Sequence, residues 1–143
     1  MSAPLILKYN VPGDDFSRAG EASSNVKKTL KQLGFPPDIV RKVAVALYEG
    51  EINMVIHANG GDVSAEIYAD KVLLCLEDNG PGIPDIALAM QSGYSTATEY
   101  VRSLGFGAGM GLPNMKEYAD SLDIKSTVGV GTTVSLVILN PGK

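Results

Sequence analysis

The feature that most limits the fold is a predicted helix that opens at Pro36-Pro37-Asp38 and ends near Asn59-Gly60-Gly61. Apolar side chains occupy nearly its whole circumference, with Ile39, Val43, Leu47, Met54 and Ala58 on one face and Val45, Ile52 and Ile56 on much of the other. A helix that is apolar nearly all round is buried in a globular protein. We therefore expect this helix in the interior of the molecule.

The rest of the chain shows both strand and helix periodicity. A first strand is expected at Leu5–Val11, followed by a helix that Asp14 or Asp15 caps and that Gly34 stops just after Leu33. Apolar alternation and apolar runs predict strands at Val63–Tyr68 and Val72–Asp78, and a C-terminal hairpin of Leu122–Val128 and Thr132–Leu139. Further helices are expected at Ile83–Gln91 and Leu112–Ala119, on either side of an irregular stretch, Gly93–Ala108.

This order of elements predicts an α+β two-layer sandwich. The sheet should be mixed, mainly antiparallel and covered by helices on one face, because helices and antiparallel strands mix along the chain. The chain has 143 residues, which suggests a single domain over residues 1–143.

Composition limits the partners that the protein could bind and the compartment in which it could reside. The net charge of −4 and the pI of about 4.9 argue against a nucleic-acid surface and give no electrostatic reason to bind an anionic membrane. No apolar run has the length of a membrane-spanning helix, and the N-terminus does not resemble a signal peptide. The single cysteine, Cys75, cannot form an internal disulfide, so we expect a cytoplasmic protein.

Polar side chains interrupt the apolar helix at a regular spacing. Glu49, Asn53 and His57 follow each other at intervals of four residues, which places all three on one stripe of the helix. For His57, a solvated helix end or a local hydrogen bond is the favoured reading. The acid and amide oxygens of Glu49 and Asn53 converge from adjacent turns, and together they could serve a hard cation and a nearby proton.

A second polar signal stands where the strand Val72–Asp78 ends. A carboxylate at the end of a buried strand costs free energy unless hydrogen-bond donors meet it. Asp78 could cap the following turn, which is the common structural role. Alternatively, Gly80 and Gly82 leave space above Asp78, and the prolines beside them stiffen that space. A planar ligand with an exocyclic amine would then satisfy the carboxylate.

The third signal is a glycine run, Gly105, Gly107, Gly109 and Gly111, just before a predicted helix. Backbone amides at such a helix N-terminus form a phosphate site, although a glycine run is also typical of a flexible loop. No Lys-Ser/Thr pair follows the glycines, which excludes a P-loop. The spacing and the absence of a preceding strand exclude a dinucleotide fingerprint.

Together these signals resemble the motifs of the GHKL ATPase/kinase superfamily, which includes gyrase, histidine kinases and anti-sigma-factor serine kinases. The matching motifs, in order, are Glu49-x-x-x-Asn53, Asp78-Asn79-Gly80-Pro81-Gly82, Gly107-Ala108-Gly109-Met110-Gly111 and Gly131-Thr132-Thr133. The resemblance covers residues 10–140, nearly the whole chain. It implies the Bergerat ATP-binding fold, with ATP and Mg²⁺ as cofactors.

The resemblance also implies a role for each motif residue. Asp78 would accept the adenine amino group, helped by a water and Thr132, and Gly80 and Gly82 would let the base approach the backbone. Gly107, Gly109 and Gly111 would cradle the phosphates beneath a lid at Gly93–Phe106, in which Arg102 is either a γ-phosphate contact or a solvated loop residue. Asn53 would ligand Mg²⁺, and Glu49 would be the general base.

Within the superfamily, the chain resembles the anti-sigma-factor and stress-switch serine/threonine kinases, especially over "GPGIPDIALAMQSGYST". Their substrates are STAS-domain antagonist proteins, so the resemblance implies such a partner, and it also allows a sigma factor, a phosphatase or a homodimer. A non-catalytic ATP-gated switch and a detached histidine-kinase ATPase module remain alternatives. The chain departs from the pattern at Gly50 and Glu51, and a mid-helix glycine costs about 1 kcal/mol.

Overall fold

The computed structural model describes residues 5–12, 20–57, 60–78 and 111–141. Of Asn53 and His57, only the backbone is described. Eight elements follow one another along these ranges: β1 (Leu5–Pro12), α1 (Glu21–Gln32), α2 (Pro37–His57), β2 (Gly60–Ile67), β3 (Lys71–Asp78), α3 (Gly111–Tyr118), β4 (Ser121–Thr127) and β5 (Gly131–Leu139). The expected helix at Ile83–Gln91 and the irregular stretch Gly93–Ala108 lie outside them.

The strands form one five-stranded sheet in the order β1-β2-β3-β5-β4, and every neighbouring pair is antiparallel. Alternate residues on one face of the sheet are buried beneath the helices, among them Val63, Ala65, Val72, Leu74, Leu136 and Ile138. The residues between them are half-buried or exposed. The predicted α+β sandwich with helices on one face is therefore confirmed, and all the pairings described are antiparallel.

Helix α2 lies in the interior, as its apolar circumference predicts. It packs against α1, α3 and the sheet, and Val43, Ala46 and Leu47 are fully buried along it. On the second apolar face Ile52 is buried and Val45 is half-buried, so this face is less enclosed only at Val45. Although α2 is 21 residues long, no helix in the described ranges is both long and apolar enough to cross a membrane.

The glycine in the middle of α2 has a packing reason. A Cβ atom at Gly50 would overlap Leu76 on β3 and would lie 3.4 Å from the sulfur of Met115 on α3. The absence of a side chain lets α2 approach the sheet and α3 closely at this point. This close packing offsets the helix-propensity cost of the glycine.

Replacing Gly50 with alanine should therefore destabilise the protein, although alanine is the better helix former. The added methyl group would displace Leu76, and overpacking of this kind typically costs about 1–3 kcal/mol. Chemical denaturation should show the loss, whereas Ser24→Ala at an exposed position of α1 should leave the free energy of unfolding nearly unchanged. A Gly50→Ala variant more stable than the wild type would contradict the packing account.

The first helix begins later than the sequence indicated. It starts at Glu21, with Gly20 as the N-cap in the left-handed region (φ 98°), and no side chain of its own first turn caps it. The prediction of a cap by Asp14 or Asp15 is wrong for this helix, and both residues lie outside the described ranges. The physical reason is that a carboxylate from α2 binds the helix N-terminus instead.

Candidate functional site

Asp78 lies at one end of the sheet, where β3 ends beside β5. It is the last residue of β3 and stands directly opposite Thr132 of β5 in the register. The backbone N–H of Thr132 donates to Asp78 Oδ1 at 3.3 Å, so the neighbouring strand helps orient the half-buried carboxylate. The alternative role, a cap of the turn after β3, involves residues outside the described ranges.

The side chain of Thr132 provides a second hydrogen-bonding group at the same end of the sheet. Thr132 is 8% exposed, and its Oγ1 lies 2.8 Å from Ser126 Oγ on β4. Sequence reasoning named Thr132 but missed Ser126. The predicted hairpin turned around Gly129-Val130-Gly131, which would place Ser126 opposite Val134. The turn is centred on Gly129 instead, so Ser126 stands opposite Thr132, and this shift in register is why the contact was missed.

The C-terminal half of α2 runs beside this end of the sheet. A Cβ atom at Gly61 on β2 would overlap the Met54 methyl group and the Glu77 carbonyl oxygen, and would lie 3.0 Å from the Asp78 Cα. Met54 and Asp78 therefore both lie against Gly61, and the Met54 side chain connects α2 to the end of β3. Asn53 is the residue before Met54 on this helix.

Glu49 lies one helical turn before Asn53 on the continuous helix α2 and is half-buried. This placement agrees with the predicted stripe at the level of the backbone. Metal ligation by the Asn53 side chain and the reading of His57 as a helix-end residue stay predictions. Among the described residues, no group of three or more His, Cys, Asp or Glu side chains forms a metal cluster.

Helix α3 begins at Gly111, the last glycine of the predicted phosphate cradle. It packs on α2 through the buried Met115, and the Arg41 guanidinium lies 5.9 Å above the Tyr118 ring. The middle and the C-terminal end of α3 thus pack against the helix that carries Glu49. The predicted site residues Gly80, Gly82, Gly107 and Gly109, together with Arg102 and the lid, lie outside the described ranges.

Glu51 is a buried acid whose role sequence reasoning missed. It is 1% exposed, and its carboxylate accepts backbone N–H bonds from Gly20 (3.0 Å), Ala22 (3.1 Å) and Ser23 (2.8 Å). These are the orphan donors at the N-terminus of α1, so a side chain of α2 caps a different helix. The acid that departs from the motif pattern is therefore a structural link between the two helices.

Two tyrosines lie within the electrostatic reach of Glu51. Burial, then the charge of Glu49 and then that of Glu51, raise the pKa of the Tyr48 hydroxyl. Burial and the charge of Glu51 likewise raise the pKa of Tyr9. Tyr48 is 39% exposed, and a Cβ atom at Gly20 would lie 3.1 Å from its ring. The Tyr48 ring therefore packs against the start of α1, which Glu51 caps.

Comparison with known proteins matches this architecture to one family. Residues 39–142 match the family described as "Histidine kinase-, DNA gyrase B-, and HSP90-like ATPase". The chain belongs to this ATPase family. The matched part includes most of α2, the end of β3 and the β4–β5 hairpin, which carry Glu49, Asn53, Asp78 and Thr132. The resemblance to the GHKL superfamily is thus confirmed, and membership implies ATP binding.

Relatives of this ATPase include kinases and anti-sigma factors. The serine/threonine-protein kinase RsbT of Bacillus subtilis is 31% identical over 115 residues, which are 78% of this chain and 80% of RsbT. The anti-sigma F factor of Geobacillus stearothermophilus is 32% identical over 131 residues, which are 85% of this chain and 86% of that protein. The similarity supports a role of the anti-sigma kinase type.

A solved structure shows the same fold. The crystal structure of the RsbU and RsbW domains of Rv1364c from Mycobacterium tuberculosis matches with a TM-score of 0.60 and 16% identity. The match covers 96% of this chain and 33% of the longer one. At this identity the likeness concerns the fold alone.

Proposed function

We propose that the protein is an ATP-dependent serine/threonine kinase that phosphorylates a STAS-domain antagonist in a partner-switching pathway. The observation that carries the proposal is the position of Glu49. It lies on α2, one turn before Asn53, and the residue after Glu49, Gly50, packs against Leu76, two residues before Asp78 on β3. A protein that only binds nucleotide has no need of a base there. The relative named as a serine/threonine-protein kinase supports the same reading.

The described groups fit the adenine end of ATP. Asp78 offers a carboxylate oxygen, which suits an exocyclic amine, and Thr132 offers a hydroxyl beside it. In this proposal Gly80 and Gly82 make room for the base. Gly107, Gly109 and Gly111 cradle the phosphates at the start of α3, where helix-terminal N–H groups favour anions.

Asn53 is the residue proposed to hold Mg²⁺, because an amide oxygen is a suitable ligand for a hard cation. When bound, the ion would offset negative charge on the phosphates. Glu49 would orient the serine or threonine hydroxyl of the partner and accept its proton as the oxygen bonds to the γ-phosphorus. The bond from that phosphorus to the bridging oxygen then breaks, and ADP leaves with its electron pair.

A second candidate has support from the relatives named as anti-sigma F factors. In that reading, ATP controls docking to a sigma factor or to another switch partner, and no productive transfer is needed. The two candidates share the nucleotide site and differ in the fate of the partner. Purifying the protein with its bound partner from its own cells separates them. A partner carrying a phosphorylated serine or threonine supports the kinase, and an unmodified sigma factor supports the switch.

Replacing Asp78 with asparagine should weaken ATP binding. The substitution presents an amide N–H₂ donor where the adenine amine is also a donor, and an unsatisfied buried group costs about 1–3 kcal/mol. That penalty corresponds to roughly 5- to 150-fold in affinity. Titration calorimetry with ATP measures it, and Asp123→Asn on the exposed face of β4 is the control. Unchanged ATP affinity in Asp78→Asn would remove Asp78 from base recognition.

A further inference from the structure

The exposed side of α1 carries three lysines, Lys27, Lys28 and Lys31, which we call the lysine stripe. The buried residues of the helix lie on its opposite side. Among the residues that the structure describes, no acidic side chain forms an ion pair with any of the three lysines. Lys31 lies in the last turn, where a positive charge also stabilises the helix dipole, but Lys27 and Lys28 lie before that turn. The stripe is therefore positive surface that the described part of the fold does not neutralise.

The charge of this part of the chain is opposite to that of the whole. Five lysines and arginines and two acids lie between Gly20 and Tyr48, which gives these residues a formal charge of +3, whereas the whole chain has −4. The positive stripe is therefore not the result of a generally basic composition. A local patch of this kind attracts a partner surface of the opposite sign and orients it.

One end of the lysine stripe points to the residue proposed as the general base. Gly20, Lys27 and Lys31 are separated by seven and then four residues, so they lie on one line along α1. This line meets α2 at Gly20, where a Cβ atom would lie 3.1 Å from the ring of Tyr48, the residue before Glu49. With a rise of about 1.5 Å per residue, Lys27 is about 10 Å and Lys31 about 16 Å from this contact along the helix axis.

We propose that the lysine stripe binds an acidic segment of the protein substrate, so that the serine or threonine hydroxyl of that substrate can reach Glu49. This inference rests on the proposed function, because it requires a protein substrate at Glu49. A standard interface covers about 800 Å² on each partner, a patch about 30 Å across, so one small domain can contact both places. An acidic protein segment is favoured over a membrane or a nucleic acid, because a chain with a net charge of −4 repels an extended polyanion.

The test compares two double variants that remove the same charge. Lys27→Gln/Lys28→Gln changes the stripe, and Lys8→Gln/Lys125→Gln changes two exposed lysines on the strands β1 and β4. Phosphorylation of the copurified STAS-domain partner, measured at varied partner concentration, separates the KM for the partner from kcat. Titration calorimetry gives the affinity for ATP and, separately, the affinity for the partner. Thermal unfolding establishes that each variant is folded.

Lys27→Gln/Lys28→Gln should raise the KM for the partner by about 2- to 30-fold, the usual worth of two exposed ion pairs. The kcat value and the affinity for ATP should stay unchanged, because the stripe acts on the encounter rather than on the chemical step. The KM of the wild type should also rise with salt more steeply than that of the variant. An equal KM in the two double variants would overturn the inference, as would a fall in kcat or in ATP affinity in place of the rise in KM.

The calorimetric titration with the partner keeps this test separate from the test of the proposed function. Partner binding that the stripe variant weakens, without any phosphoryl transfer by the wild type, would overturn the proposed function while supporting the binding surface. Transfer by the wild type with equal partner affinity in all three proteins would overturn the surface alone. Sedimentation with phosphatidylserine vesicles is the last arm. Wild-type binding to these vesicles that Lys27→Gln/Lys28→Gln abolishes would assign the stripe to a membrane and overturn the inference.

Discussion

Replacing Glu51 with alanine should destabilise the protein by about 3–5 kcal/mol, since three buried N–H groups would lose a charged acceptor and each unsatisfied donor costs about 1–3 kcal/mol. The three bonds from Gly20, Ala22 and Ser23 to a carboxylate that is 1% exposed are the reason. Glu51→Gln keeps one acceptor oxygen but turns an amide donor toward a backbone donor, so its loss should be smaller. Urea denaturation measures both.

The control for this series is Glu117→Ala, which removes an exposed glutamate from α3 and should change stability by no more than about 0.5 kcal/mol. If Glu51→Ala and Glu117→Ala had the same free energy of unfolding, Glu51 would not link α1 to α2. Because the Glu51 variants should be less stable, their catalytic activity should be measured well below the temperature at which they unfold.

Glu49→Gln should reduce phosphoryl transfer to the partner by about 10²- to 10⁴-fold, the usual contribution of general acid–base catalysis. The substitution keeps the shape of the side chain and its hydrogen-bonding reach but removes the basic oxygen. Affinity for ATP should stay nearly unchanged, since in the proposed mechanism Glu49 acts on the incoming hydroxyl rather than on the nucleotide. Asn53→Ala should do the opposite and weaken Mg²⁺-dependent nucleotide binding.

Comparing Glu49→Gln with Asn53→Ala separates the roles of two residues that lie on one stripe of α2. Glu51→Gln, two residues from Glu49, is the matched control, because it removes a carboxylate that binds the start of α1 rather than the substrate. Transfer that survives intact in Glu49→Gln would exclude Glu49 as the base. A fall in ATP affinity as large as the fall in transfer would assign Glu49 to nucleotide binding instead.

Much of the fold could be predicted because its determinants are local in sequence. The apolar circumference of α2 and the alternation in β2 and β5 each arise from the burial of neighbouring residues. The bounds of these elements in the structure agree with the predicted bounds within a few residues. The start of β2 at Gly60 was missed, because glycine has no side chain to show alternation. There the strand is defined by its pairing with Pro12 on β1.

What could not be predicted depends on contacts between distant residues. Glu51 accepts bonds from residues 28 to 31 positions earlier in the chain, and nothing near it in sequence indicates them. Gly50 looked like a cost to the helix until its approach to Leu76 was known. In the site, the contact of Thr132 with Asp78 lies within the described ranges, whereas the roles assigned to the glycines of both motifs stay predictions.

The central claim is that this ATPase domain transfers phosphate to a protein hydroxyl. The most direct measurement mixes enzyme, Mg²⁺ and a limiting amount of ATP labelled at the γ-phosphate with the STAS-domain partner in a single turnover. We expect the label to appear on one serine or threonine of the partner, at a rate that Glu49→Gln lowers by about 10²-fold or more. Tight ATP binding with no label on the genuine partner, or an equal rate in Glu49→Gln, would contradict the account.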